Sequence, residues 1–219
     1  MEGGGEFYLP DSVSLFLLIL SSILLETLDQ IDRELFYVLN GFHNPWLDVI
    51  MWYISKMEIW LPVYALMIYS LYTKYRVSAF VLAILCVVFL LFITDFTAVH
   101  LIKNTVMRLR PSHNSETMDR VNLVMDEMGV YYRGGQFGFF SNHASNFFGV
   151  VTFYLMSTRP ISRWIIASFY CWAMLIGYSR IYLGVHYPGD VLAGALFGMM
   201  SGWLVARLFA SLIAKFKLA

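Results

Sequence analysis

Apolar residues along this 219-residue chain fall into long blocks separated by short polar stretches. About six blocks approach the ~20 residues that a helix needs to cross the hydrocarbon core of a bilayer. The first runs over Ser12 to Leu25, the second over Ile59 to Tyr72 and the third over Val77 to Ile102. A long polar loop, 103–140, separates these from the fourth block, Ser141 to Met156, the fifth, Trp164 to Leu183, and the sixth, Val191 to Ile213. Residues 26–58 differ. Glu26, Asp29, Asp32, Arg33 and Glu34 lead to Asn44-Pro45 and then to one apolar face, Trp46, Leu47, Ile50, Met51 and Ile54, punctuated by Asp48, Lys56 and Glu58. That pattern predicts an interfacial segment rather than a span. The expected fold is all-α: a polytopic membrane helical bundle of about six transmembrane helices plus interfacial helices, in a single integral-membrane domain over 1–219. The leader carries Glu2, Glu6 and Asp11 but no Lys or Arg, so the first block is expected to be retained rather than cleaved as a signal peptide.

Composition supports that class. The chain is 59% hydrophobic and only 14% charged, against the roughly one quarter charged that is normal for soluble domains. A formal net charge of zero gives no reason to expect nucleic acid as a partner. Cys86 and Cys171 both sit in apolar stretches and read as small buried hydrophobes rather than a disulfide or metal pair. Orientation follows from the short loops. Lys74 and Arg76, Arg159 and Arg163, and Arg207, Lys215 and Lys217 share one side, which is expected to be cytoplasmic. The opposite side holds Lys103, Arg108, Arg110, Arg120, Arg133 and Arg180. Those charges need an explanation other than topology.

Alternating spans put the end of the third, the start of the fourth, the end of the fifth and the start of the sixth on that same face. Lys103 and Arg110-Pro111 follow the third span, and Ser141, Asn142 and His143 open the fourth. Ser179 and Arg180 end the fifth, while His186 and Asp190 precede the sixth. Charged groups near hydrocarbon are costly unless paired or wetted, so the cluster is a functional candidate. A lysine and two arginines call for an anion, and guanidinium forks suit phosphate oxygens. Ser141 and the N–H groups opening the fourth helix add donors. No group of carboxylates is at hand to hold Mg²⁺ or Ca²⁺, which favours a metal-independent mechanism. Two histidines can then divide the work, one attacking phosphorus and one protonating the leaving oxygen. Tyr187-Pro188-Gly189 suggests a turn that brings Asp190 to a helix start, able to hold the imidazole N–H. A lone histidine at a helix end is usually structural, and Arg180 alone could be a snorkelling anchor. Those readings would all have to hold together, on one face.

At these residues the chain resembles the type-2 phosphatidic acid phosphatase superfamily, which includes vanadium haloperoxidases and glucose-6-phosphatase. Lys103-Asn-Thr-Val-Met-Arg-Leu-Arg110-Pro111 matches the family's first signature in full, and Ser179-Arg180-Ile-Tyr-Leu-Gly-Val-His186-Tyr-Pro-Gly-Asp190 matches the third. The second signature, Pro-Ser-Gly-His, is partly kept as Phe140-Ser141-Asn142-His143. The resemblance implies His186 as nucleophile, Asp190 as its orienter and His143 as general acid. It implies Lys103, Arg110, Ser141, Asn142 and Arg180 as phosphate-binding, with no metal and no cofactor. Asn142 stands where the family uses a glycine N–H, and asparagine is the non-glycine residue that best tolerates a left-handed backbone there.

The function expected is hydrolysis of a lipid phosphomonoester or pyrophosphate through a phosphohistidine. By resemblance the substrate is undecaprenyl pyrophosphate, phosphatidylglycerol phosphate, phosphatidic acid or a lipid A phosphate. A lipid phosphotransferase, and a non-enzymatic binder or transporter of anionic lipid, stand as alternatives. The partners expected are a membrane lipid and the bilayer, with no obligate protein partner. The expected location is a bacterial inner membrane with the site on the periplasmic side. Among the other residues, Asp95 could pair with a catalytic cation or serve a polar contact between helices. Arg108 and Arg133 read as loop charges. Asp119 to Gly135 suggests a short interfacial helix and a turn facing the substrate.

Overall fold

A computed structural model describes residues 11–159 and 162–218. Seven helices carry the fold: α1 (Asp11–Asn40), α2 (Pro45–Ser55), α3 (Leu61–Lys74), α4 (Val77–Phe96), α5 (Asn142–Thr158), α6 (Arg163–Tyr182) and α7 (Pro188–Phe216). A π-helical turn, Thr97–Lys103, prolongs α4 and brings Lys103 to its end. Such turns recur at functional sites. Val77–Val106, Arg163–Tyr182 and Pro188–Phe216 are long and apolar enough to cross a membrane. The chain is an all-α polytopic membrane bundle. Its outer surface fits a hydrocarbon solvent, since Leu85, Phe92, Leu196 and Met200 are all exposed.

Two expectations change. Residues 26–40 are not separate from the first block, because α1 runs unbroken for 30 residues to Asn40. Its polar second half turns toward other chain segments: Asp29, Asp32 and Arg33 all pair with side chains or backbone beyond α1. Only α2 keeps the separate character expected of 26–58. It starts where Asn44 accepts from the N–H groups of Trp46 and Leu47 and Pro45 takes the first helical position. The 119–135 stretch is not a helix either. Asp126 caps a tight hairpin by accepting from the N–H groups of Met128 and Val130, and Gly129 supplies the left-handed residue. A local side-chain acceptor of this kind draws backbone N–H groups away from helix formation.

Among the described helices, α5 and α7 make the most extensive contact. Gly194, Gly198 and Gly202 of α7 lie against the carbonyls of Ser141, Ser145 and Gly149, so both helices present small residues every fourth position. In a bilayer, small residues of this kind let helix backbones approach. Farther from the polar end, Leu71, Cys86, Leu90, Phe153, Val205 and Phe209 form a buried cluster joining α3, α4, α5 and α7. Cys86 is buried there as expected, but Cys171 lies exposed on the outer face of α6.

Candidate active site

The α5–α7 contact holds two helix starts together. The Ser141 N–H donates to the Asp190 carbonyl at 3.0 Å. Ser141 caps α5, its hydroxyl accepting weakly from the Ala144 N–H at 3.4 Å, which leaves the hydroxyl proton free to donate. Asp190 is the third residue of α7, after Pro188 at the first, and accepts from the Tyr187 N–H at 3.0 Å. Gly184, at φ +72, makes the reversal after α6 that delivers His186, in a space walled by Val121 and Leu123 where a side chain would not fit. Lys103, Arg110, His143, Arg180 and His186 all lie within electrostatic reach of one another. The segments expected to converge therefore do so.

Each cation has a distinct setting. Lys103 donates to the Asn142 side-chain oxygen at 2.6 Å, and the Asn142 amide donates to Asp95 at 3.0 Å. Asp95 also accepts from Asn146 at 3.1 Å. Both readings of Asp95 thus apply: it joins two helices, and it reaches Lys103 through Asn142. Asn142 itself opens α5 without a left-handed backbone, so its side chain, rather than an unusual φ, answers the missing glycine. Arg110 is buried, with its Nε donating to the Phe137 carbonyl at 3.2 Å. Burial and the neighbouring Arg180 guanidinium push Arg110 down to about 10. Arg180 is 3% exposed, donates to Ser55 and, at 3.0 Å, to the Tyr132 hydroxyl, and keeps its Nε unpartnered among the described residues.

His186 is 2% exposed. Burial, with Arg110, Arg180 and Lys103 around it, holds its imidazole well below the ordinary histidine range. A ring held there keeps a free nitrogen lone pair at neutral pH. Its Nδ1 stands 3.5 Å from Asp190 Oδ2, without hydrogen-bond geometry. The expected imidazole–carboxylate hydrogen bond is thus not closed, while Asp190 serves two other donors. Such bonds are often loose in unliganded enzymes. Ser179, which the third signature includes, turns away and bonds to the Ile176 carbonyl at 2.7 Å.

Three participants escaped sequence reasoning. Arg108 is no loop charge. Its guanidinium lies 2.9 Å from Asp190, 2.8 Å from Asp29 and 2.7 Å from Asp32. Tyr132 and Ser55 both hold Arg180, and nothing about a loop tyrosine or a helix-terminal serine marks them in advance. With Asp190 matched by Arg108, the positive charge of Lys103, Arg110 and Arg180 has, among the described residues, no carboxylate partner of its own beyond Asp95, which is reached through Asn142. An anion is what such a pocket lacks. Beside it, a cavity of about 230 Å³ is lined by His143 and Arg180 together with Trp52, Lys56, Glu58 and Tyr132. Among the described residues no group of His, Cys, Asp or Glu comes together that could hold a metal ion.

The chain is similar to several known proteins. A lipid A 4'-phosphatase of Bacteroides thetaiotaomicron is 35% identical over 182 residues, covering 83% of this chain and 78% of that one. The crystal structure of Aquifex aeolicus LpxE superposes with a TM-score of 0.55 at 26% identity, covering 80% of this chain and 93% of that one. A phosphatidylglycerolphosphate phosphatase structure from Bacillus subtilis, at 22% identity, shares the fold with a TM-score of 0.63 over 94% of this chain and 98% of that one. The family model of the PAP2 superfamily matches residues 77–213, which contain every site residue expected from the sequence. This chain belongs to the PAP2 superfamily, and it is an integral-membrane phosphatase.

Proposed function

We propose that the protein removes a phosphate monoester from a membrane lipid through a phosphohistidine on His186, and that a lipid A-type glycolipid is the first substrate to try. The observation that carries this reading is the anion-seeking trio of half-buried Lys103 and buried Arg110 and Arg180 around a neutral imidazole. His186 Nε2 attacks phosphorus and the bond from phosphorus to the lipid oxygen breaks, while His143 gives its proton to that oxygen. Water then attacks phosphorus, the N–P bond breaks and His143 takes the water proton. Lys103, Arg110, Arg180, Ser141 and the N–H groups of Asn142 and His143 stabilise the equatorial oxygens, the dominant form of assistance in phosphoryl transfer. The leaving lipid oxygen lies on the His143 side, toward the cavity lined by Trp52 and Lys56.

The glycolipid preference is supported by the 35% identical relative, whose name specifies lipid A. Burial of Arg110 and Arg180 and the pairing of Arg108 explain why so many cations stand on one side without setting topology. That side is the periplasmic face of the inner membrane in this reading. The test is phosphate release by the purified protein from diphosphoryl lipid A, phosphatidylglycerol phosphate, undecaprenyl pyrophosphate and phosphatidate. Wild type is expected to act on at least one lipid, with vanadate inhibiting and EDTA without effect. His186→Ala and His143→Ala are expected to fold but lose turnover. Wild-type rates from either variant would overturn the assignment of roles.

A further inference from the structure

Arg108 lies between two charged parts of the molecule that the reaction scheme does not connect. One of its guanidinium nitrogens donates to Asp190 at 2.9 Å. The other donates to Asp29 at 2.8 Å and pairs with Asp32 at 2.7 Å, both on α1. The plane of the guanidinium covers the Tyr187 ring at 4.2 Å. Asp32 in turn accepts from the Gly189 N–H at 2.6 Å, within the turn that carries Asp190. Helix α1 lies wholly outside residues 77–213, the stretch shared with the family model.

We infer that Arg108 is a positioning residue that holds the Asp190 carboxylate in register with His186, with Asp29 and Asp32 of α1 as its counter-charges. The inference rests on the reading that His186 attacks phosphorus. Asp190 is 0% exposed, and a buried carboxylate stays ionised only with a close positive partner. Arg108 supplies that partner on Oδ1, while the Tyr187 N–H takes one lone pair of Oδ2. The other lone pair of Oδ2 is the one that faces His186 Nδ1. Fixing both oxygens leaves the carboxylate one orientation, which favours the proton on Nδ1 and the free lone pair on Nε2. Burial works against the Arg108 charge, yet Asp190, Asp32 and Asp29 outweigh it and raise the guanidinium above the ordinary arginine value. The cation is permanent, so the bracket does not loosen with pH.

Without Arg108, Asp190 faces Asp32 across the gap, with the Tyr187 N–H, Arg110 and Lys103 left to favour its charge. It then takes up a proton more readily or, if it stays ionised, draws one onto His186. Both outcomes raise the pH at which His186 becomes an effective nucleophile. The other groups facing His186 (Lys103, Arg110, Arg180 and His143) are untouched by the substitution. Phosphate binding should therefore survive.

The experiment uses the full chain in detergent, each panel lipid that wild type hydrolyses, and inorganic phosphate as competitor. Arg108→Gln is expected to lower kcat by about 10- to 100-fold, the usual range for removing the support of a catalytic ligand, with KM and the phosphate inhibition constant within about twofold. The acid limb of the kcat/KM profile should move to higher pH. Arg108→Lys should restore the position of that limb and part of kcat, and Asp32→Asn should lower kcat less than Arg108→Gln. Glu116→Gln, which alters only the exposed far end of the α1 contact at Arg33, should leave activity unchanged. A merely structural role would lower thermal stability and active fraction while leaving KM and the pH profile as they were. That result, or undiminished kcat in Arg108→Gln, overturns the inference alone. Failure of wild type on every panel lipid overturns the underlying reading and this inference with it.

Discussion

Gly198 is where the two halves of the site are most sensitive to a single added group. A Cβ there would fall against the Ser145 carbonyl oxygen and within 2.9 Å of the Ser145 Cα and carbonyl carbon. Ordinary contact begins at 3.4 Å, so α5 and α7 must part by about 0.5 Å at those carbons and by more at the oxygen. The atoms are backbone and cannot swing aside. Gly198→Val should therefore cost about 3 kcal/mol, the upper end for overpacking, reduced by a few tenths of a kcal/mol because valine is the better helix former. At ~2–4 °C per kcal/mol for a chain of this size, the melting temperature should fall by roughly 5–10 °C. Activity should suffer more than stability. The seam carries Ser141 and His143 on one helix and Asp190 on the other, and a displacement approaching 1 Å at reacting groups can cost ~100-fold in rate. The assay pairs thermal unfolding in detergent with phosphate release at a temperature where the variant is still folded. Gly135→Ala is the control, since nothing lies within 4 Å of its added Cβ. If Gly198→Val melts and turns over like wild type, α5 and α7 are not in backbone contact and the placement of Ser141 beside Asp190 is wrong.

Three further outcomes are expected. Tyr132→Phe removes the acceptor for one Arg180 N–H at 3.0 Å and should raise KM by about tenfold, the effect of losing roughly 1.4 kcal/mol from a charged hydrogen bond; an unchanged KM would show that water replaces it freely. Asn142→Gly restores the family's residue but cuts the link from Lys103 to Asp95. The phosphate inhibition constant should weaken several-fold, and phosphate binding as tight as wild type would show that the link is idle. His186 is held below its ordinary value when folded, so its contribution to stability is complete above the unfolded value of about 6.5 and is lost as pH falls from there toward the folded value. Thermal melts of wild type should drop across that window more steeply than those of His186→Asn, and equal slopes would refute the burial of a neutral ring.

Much of the site was legible because motif spacing and span alternation act together. Lys103, Arg110, Ser141, His143, Arg180, His186 and Asp190 lie at helix ends or in the loops beside them, and alternation alone places those ends on one side. What stayed hidden depends on side-chain direction. Arg108 and Arg110 are two residues apart in one extended stretch, yet one reaches Asp190 and α1 while the other lies beside His186. Asp29 and Asp32 share a helix face by their spacing of three, but their partner is 76 residues beyond Asp32, a separation that no local pattern encodes. The glycines at 194, 198 and 202 announce a close helix contact without naming α5 as the partner. The continuity of α1 through its acidic residues was missed because they read as a separate segment, when Asp29 and Asp32 form a polar face of one helix turned toward the half-buried Arg108.

The backbone bond from Ser141 to Asp190 sets the first turns of α5 and α7 side by side, so their unspent amide dipoles add where negative charge is wanted. A pocket assembled in this way repels itself while vacant and relaxes once an anion arrives. Free orthophosphate should therefore slow turnover and raise the melting temperature together, linking the durability of the protein to the accumulation of its own product.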